Sequence, residues 1–96
     1  MQSRQSAPEV LDGLIETLAA IEHQRWSRWQ QYMHSKGVRN DDGSMVIPAD
    51  LVRRWEQQIA SPYAELSETE KESDREQVME YLSVIKKAFA ATDKAR

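Results

Sequence analysis

The sequence predicts a mainly α-helical chain, a small domain of three to four helices with a short loop or hairpin between the first two. Three observations carry that prediction. Apolar residues recur at intervals of three and four over long stretches, the spacing of one face of an α-helix. Twice, at Ser6-Ala7-Pro8-Glu9 and at Ser67-Glu68-Thr69-Glu70, a serine stands three residues before a glutamate; hydroxyl and carboxylate at that spacing satisfy backbone N–H groups that a helix start leaves open. Between these boxes, Gly37, Gly43, Pro48 and Pro62 punctuate the chain where helices stop or start.

The first helix starts behind the Ser6 cap, with Pro8 in the first turn, where a missing N–H costs nothing. Leu11, Ile15, Leu18, Trp26, Trp29 and Met33 form its stripe, widened by Leu14 and Ile21. It runs as one helix to Ser35 or Lys36 and ends at Gly37, the residue best able to take a left-handed cap conformation. Gly13 costs about 1 kcal/mol against alanine inside a helix, so fraying or a close packing contact is expected there. Residues 38–47 break the pattern: Val38 to Gly43 is a turn signal and Ser44-Met45-Val46-Ile47 has strand character, which together read as a loop or a minimal hairpin. Pro48 opens a second helix with Leu51, Trp55 and Ile59 on one face, and Ala60-Ser61-Pro62 ends it. Residues 61–75 are a joint in which Tyr63 and Leu66 are expected to turn into the core. Here Asp74 or Arg75 ties the third helix back to the first through His23 or Arg25. That third helix begins at Glu68, carries its apolar face on Val78, Tyr81, Leu82, Ile85 and Phe89, and frays from Thr92. The chain reads as one domain over residues 1–96, ordered from about residue 7 to about residue 91.

Composition narrows the function. The 96 residues hold no cysteine and carry a formal net charge of -3. A disulfide framework and thiol chemistry are therefore excluded, and a cytoplasmic setting is expected. No apolar run approaches the roughly 20 residues of a membrane helix, and the start lacks the apolar core of a signal peptide, so a soluble chain with no membrane role is expected. A chain this short gains usefully from association with a second copy. Charge is uneven. From His23 to Arg54 the basic residues Arg25, Arg28, Lys36, Arg39, Arg53 and Arg54 outnumber Asp41, Asp42 and Asp50, whereas Trp55 to Leu82 carries eight acids against Lys71 and Arg75. That polarity suits pairing within the molecule, pairing of copies head to tail, or a cationic pocket for an anion. The basic residues are too few and too dispersed for a nucleic-acid face.

Of the three tryptophans, Trp29 and Trp55 continue the stripes of their helices and are expected in the core. Trp26 differs, because His23, Arg25 and Arg28 lie near it in sequence, and an aromatic face beside cations suits a planar anionic ligand. His23 and His34 are eleven residues apart, about 16 Å on a straight helix, too far to share a metal. No cofactor is implied. Glu22 and His23 lack the serine, lysine or second carboxylate that would complete a catalytic set. Arg53 and Arg54 suit solvent, or one of them a phosphate.

Two blocks carry a resemblance. Ile21-Glu22-His23-Gln24-Arg25-Trp26, with a histidine three before a tryptophan, and Pro62-Tyr63-Ala64-Glu65-Leu66-Ser67-Glu68-Thr69-Glu70-Lys71-Glu72-Ser73-Asp74-Arg75, with its proline, aromatic, leucine and acid-rich order, resemble the RyR domain, the repeat of ryanodine receptors that also occurs as a stand-alone module in bacteria and phages. Between the blocks the chain departs from the receptor pattern, having Lys36 to Gly43 and a helix around Trp55 where those members carry a glycine-tryptophan-aromatic-glycine turn. The resemblance implies a small helical binding module without catalytic activity. For receptor members it implies paired copies holding an adenine-type ligand between aromatic residues, including the tryptophan matching Trp26; for prokaryotic members it implies sensing of nucleotide-derived signals in antiviral conflict.

The leading expectation is thus a non-enzymatic module for a nucleotide-derived ligand, such as a cyclic nucleotide or an ADP-ribose-type immune signal. Its site residues are Trp26 for stacking, His23 and Tyr63 beside it, and Arg25, Arg28, Arg53 and Arg54 for phosphate. A homodimer or higher homo-oligomer would rebuild the paired site, and a phage-encoded copy would serve as a sponge for a host signal. The alternative is a protein-interaction or structural oligomerisation module with no small ligand.

Overall fold

The computed structural model describes residues 5–94. In chain order it contains α1 (Ala7–Asp12), α2 (Ile15–Lys36), β1 (Val38–Arg39), β2 (Met45–Val46), α3 (Ala49–Ala60), a single 3-10 turn at Tyr63–Glu65 and α4 (Glu68–Lys94). The chain is a small, mainly α-helical protein with four α-helices and one minimal hairpin among the described residues, as the sequence predicts. Two compact units are distinguished, one running to Arg25 and resuming at Asp74, the other covering Trp26–Ser73, so that α2 and α4 each contribute to both. None of the helices is long and apolar enough to cross a membrane among the described residues.

In the first unit the Ser6 box forms: the Glu9 N–H donates to Ser6 Oγ at 3.3 Å, and the Ser6 hydroxyl donates to the Glu9 carboxylate at 3.1 Å. The expected single helix from Ala7 to Lys36 is in fact two. After Gly13 N–H bonds to the Glu9 carbonyl at 3.1 Å, the Leu14 N–H turns to the Leu11 carbonyl, three residues back, at 3.0 Å. That tighter bond interrupts the four-residue ladder where glycine is the weakest helix former in the segment. The ladder resumes when Leu18 N–H bonds to the Leu14 carbonyl at 2.9 Å. Val10 is the one buried residue among those described, 7 % exposed. Leu14 in the turn before α2, Leu18 and Ile21 of α2, and Tyr81, Val84, Ile85, Ala88 and Phe89 of α4 are only half-buried. Of the tail expected to fray from Thr92 to Arg96, the described part through Lys94 is helical, with the Thr92 hydroxyl donating to the Ala88 carbonyl at 3.1 Å, and residues 95 and 96 lie outside the described residues.

In the second unit the hairpin pairs Val38 with Val46 and Arg39 with Met45, antiparallel. Its turn is closed by Asn40 N–H to the Ser44 carbonyl at 2.8 Å and Gly43 N–H to the Asn40 carbonyl at 3.0 Å. Gly43 has φ +89°, and no other glycine has positive φ. Gly37 therefore does not take the left-handed cap expected of it. Its value is closeness, since a Cβ there would meet Met45 Sδ at 3.1 Å as the strand returns past the helix end. α3 follows Pro48, whose carbonyl accepts from both Leu51 N–H and Val52 N–H at 3.1 Å.

The Trp29 and Trp55 rings meet edge to face, centroids 5.3 Å apart at 66°, with Tyr32 stacked at a tilt 5.8 Å from Trp29. Trp55 is half-buried, but Trp29 is 41 % exposed and does not sit in a core. Tyr63 does not tuck in either. It is 49 % exposed, with the Lys71 ammonium 5.8 Å from its ring centroid, while Leu66 is half-buried. A helix pair or a lone helix beside a hairpin offers too little opposing surface to enclose an indole, which explains why periodicity alone overstated the burial.

The two glycines at turns predict opposite outcomes. Gly13 lies in the helical region at φ -69°, ψ -9°, where an added Cβ meets the Val10 carbonyl oxygen at an ordinary 3.4 Å. Gly13→Ala is therefore expected to raise unfolding stability by about 0.5–1 kcal/mol, and Gly43→Ala, forced into left-handed backbone, to lower it by about 1 kcal/mol. Urea denaturation followed by circular dichroism reads both.

Candidate functional site

The seven residues singled out by sequence are divided between the two units: His23 and Arg25 belong to the first, and Trp26, Arg28, Arg53, Arg54 and Tyr63 to the second.

In the first unit the α2 surface is organised by Glu22. Arg25 is three residues on, one helical turn away, and its Nε donates to both Glu22 carboxylate oxygens at 3.0 and 3.1 Å, with a further short contact from its terminal nitrogen. The Tyr81 hydroxyl of α4, 59 residues distant in sequence, donates to the same carboxylate. The Arg25 guanidinium first and the Tyr81 hydroxyl second hold the Glu22 carboxyl down at about 2, against an ordinary 4.5. Arg25 is correspondingly raised by its Glu22 partner. A carboxylate so well satisfied is a poor general base near neutral pH. An arginine forked onto it has given up the geometry with which it would take a phosphate. His23 lies exposed on the same stretch. This three-residue tie joins α2 to α4.

In the second unit Trp26 is 51 % exposed. Arg28 is two residues from it on α2, so the two side chains leave the helix on different faces. Arg53 and Arg54 are both exposed on α3. Arg54 borders an open cleft of about 130 Å3 whose walls include Gln57, Gln58, Ser61, Glu65, Leu66 and Glu70. That space is well under the roughly 300–1,000 Å3 of pockets that enclose a drug-sized ligand. One guanidinium faces two carboxylates there, and a phosphate would enter against them. Tyr63 is not among the residues bordering the cleft.

The cleft is built by the joint. Ser67 caps α4 reciprocally: Glu70 N–H donates to Ser67 Oγ at 3.2 Å, and the Ser67 hydroxyl donates back to Glu70 Oε1 at 2.8 Å. The other oxygen of Glu70 accepts from the Gln58 side-chain amide of α3 at 2.7 Å. The Ser67 hydroxyl, Gln58 and the positive field of Arg54 lower the Glu70 carboxyl. One carboxylate thus caps the start of α4 and ties it to α3. The sequence exposes the Ser67–Glu70 box but not the clasp, because Gln58 and Glu70 share no local spacing rule. Glu22 and Tyr81 were missed for the same reason, although Glu22 and Arg25 alone have the spacing of a helical ion pair.

Among the described residues no group of three or more histidine, aspartate or glutamate side chains is placed to hold a metal ion. Comparison with family models, with curated proteins and with solved structures finds no match to this chain.

The Glu22 tie makes a pH prediction. Its folded value lies below the unfolded one, so its stabilisation is complete above about 4.5 and is lost as pH falls towards about 2. Glu22→Gln is expected to melt below the unaltered chain at pH 7, with the gap in Tm closing through that window; a gap that stayed constant to pH 2 would assign the loss to packing and not to charge.

Proposed function

We propose that this chain is a non-enzymatic interaction module that acts by self-association, in a cytoplasm that its cysteine-free composition suits. One observation carries the reading: each unit leaves large apolar side chains in water while enclosing almost nothing. Val10 is the one buried residue described, whereas Ile15 is 62 % and Val78 51 % exposed in the first unit, and Val38 is 60 % and Ile59 83 % exposed in the second. Scattered apolar residues on a surface are ordinary. Their exposure on both units of a chain with no enclosed core is not, because net stability is a small remainder after chain entropy has been opposed by apolar burial. A second copy supplies the missing cover, at about 25 cal/mol for each Å2 of apolar surface withdrawn from water.

A second reading retains the likeness to the RyR domain and makes the chain a binder of a nucleotide-derived ligand, a sponge if phage-encoded. The half-exposed Trp26 ring favours it, since such a face can stack on a base. It ranks below self-association because Arg25 is engaged by Glu22 and the cleft at Arg54 is bordered by two carboxylates, which leaves phosphate poorly served.

Sedimentation equilibrium across micromolar concentrations tests the first reading: a mass at or above twice 11.1 kDa supports it, and 11.1 kDa throughout removes it. Thermal shift with cyclic dinucleotides, cyclic ADP-ribose isomers, ATP and ADP-ribose tests the second. Its expected mark is a rise in Tm that Trp26→Ala abolishes and Trp55→Phe keeps, and silence across the panel would sink it for these ligands.

A further inference from the structure

The chain contains two aspartyl–glycine pairs, Asp12–Gly13 and Asp42–Gly43. In such a pair the backbone amide can attack the preceding side chain with little hindrance, because glycine has no Cβ to shield its nitrogen. Sequence alone gives the two pairs equal standing. The structure separates them by what surrounds each glycine and by what must open to free it. At Gly13 a Cβ would meet the Val10 and Glu9 carbonyl oxygens at 3.4 and 3.6 Å, and the Gly13 N–H is bonded to that Glu9 carbonyl at 3.1 Å. Freeing it means unwinding the end of α1, the helix that carries Val10, the one buried residue among those described. At Gly43 nothing lies within 4 Å of the same position. Its N–H is bonded to the Asn40 carbonyl at 3.0 Å in a hairpin of two-residue strands. Val38 and Val46 of that hairpin are already 60 % and 53 % exposed, so opening it uncovers little apolar surface.

We infer that Asp42–Gly43 is a site of spontaneous backbone isomerisation, at which transient opening of the hairpin lets the Gly43 nitrogen close a succinimide ring on the Asp42 side chain. The inference goes beyond self-association and does not depend on it. Ring closure forms a bond from Gly43 N to Asp42 Cγ, and the amide proton leaves with the hydroxyl of the neutral acid as water. Solvent water then reopens the ring at one of its two carbonyls. Cleavage at Cγ restores aspartate. Cleavage at the main-chain carbonyl leaves isoaspartate, in which the chain runs through Cβ and Cγ and is one atom longer. No other reactant is consumed. Ser44 restrains the first step, since its N–H and its hydroxyl both donate to Asp42 Oδ1, at 2.9 and 2.6 Å. Those bonds hold the carboxyl below its ordinary range, in the ionised form, whereas closure proceeds from the neutral acid. The same hydroxyl accepts from the Asn40 side-chain amide at 2.8 Å and so ties the turn shut. An isoaspartate at position 42 would lengthen this turn and move the carboxylate that Ser44 holds, undoing the loop that sets Val38 opposite Val46.

The test incubates the full chain near neutral pH, native and in concentrated urea, and digests it with trypsin. Peptides 40–53 and 5–25 then report the two pairs separately; chromatography resolves an isoaspartyl peptide from its isomer of equal mass, and fragmentation locates the altered residue. In the native chain isoaspartate is expected at position 42 at least about fivefold faster than at position 12, and in urea the two rates are expected to converge. Ser44→Ala is expected to raise the native rate at position 42 about fivefold, the factor that one lost hydrogen bond of ordinary strength gives in an opening equilibrium, with the rate in urea nearly unchanged. Circular dichroism confirms that this variant keeps its helices. Conversion at position 12 as fast as at position 42 in the native chain would overturn the assignment, and so would a native chain silent at position 42 while the urea sample converts. A ratio between the positions that stays the same in urea would assign the difference to neighbours in sequence and overturn the role of the hairpin. An unchanged rate in Ser44→Ala would overturn the restraint by Ser44.

Discussion

Every helix here carries an apolar stripe, and a stripe contributes to stability only when another surface covers it. In the first unit α1 buries its own Val10 and little else, and Leu14, Leu18 and Ile21 meet solvent along part of their surface. In the second, Trp29 and Trp55 cover one another edge to face without a third layer behind them. The described residues enclose almost no apolar surface, and that shortage of cover explains the exposures better than any one residue does. Association is the physical remedy open to such a chain.

Position is set largely by polar groups, because packing alone is too thin to set it. Glu22 and Glu70 act alike. Each is a carboxylate on one helix that engages a local partner, Arg25 or Ser67, and a remote one, Tyr81 or Gln58. The local bond orients the carboxylate and the remote bond uses that orientation to fix a neighbouring element. All but the half-buried Gln58–Glu70 bond are exposed interactions, so their individual energies are small. Their effect is on geometry: they decide which face of α4 turns to α2 and how α3 hands over to α4.

Much of this was legible beforehand, and what was legible is local. The two serine–glutamate boxes, the helix start at Pro48, the stop before Pro62, the hairpin turn at Asn40 to Gly43 and the start of α4 at Glu68 all follow rules spanning four or five residues. The errors share the opposite character. Trp29 was assigned to a core from periodicity and Tyr63 from its place in the joint, but burial depends on what arrives opposite, which neither encodes. Gly37 was given a cap conformation when its constraint is the return of Met45, eight residues on. Arg25 was offered to a phosphate because its partner Glu22 was weighed only as a base. Gly13 was read as a weak point, and the structure turned that weakness into a break between two helices.

The hairpin adds a consequence of a different kind. Val38 and Val46 stand opposite one another with both side chains open to water, an arrangement that in longer strands would invite backbone pairing with other molecules. Here each strand has two residues. A ladder that short presents too few free amide and carbonyl groups to template an incoming segment, and the Asn40–Gly43 turn bends the chain away before another rung can form. The valine pair can therefore offer side-chain contact to a neighbour while the backbone withholds the cross-β growth that such contact would otherwise seed.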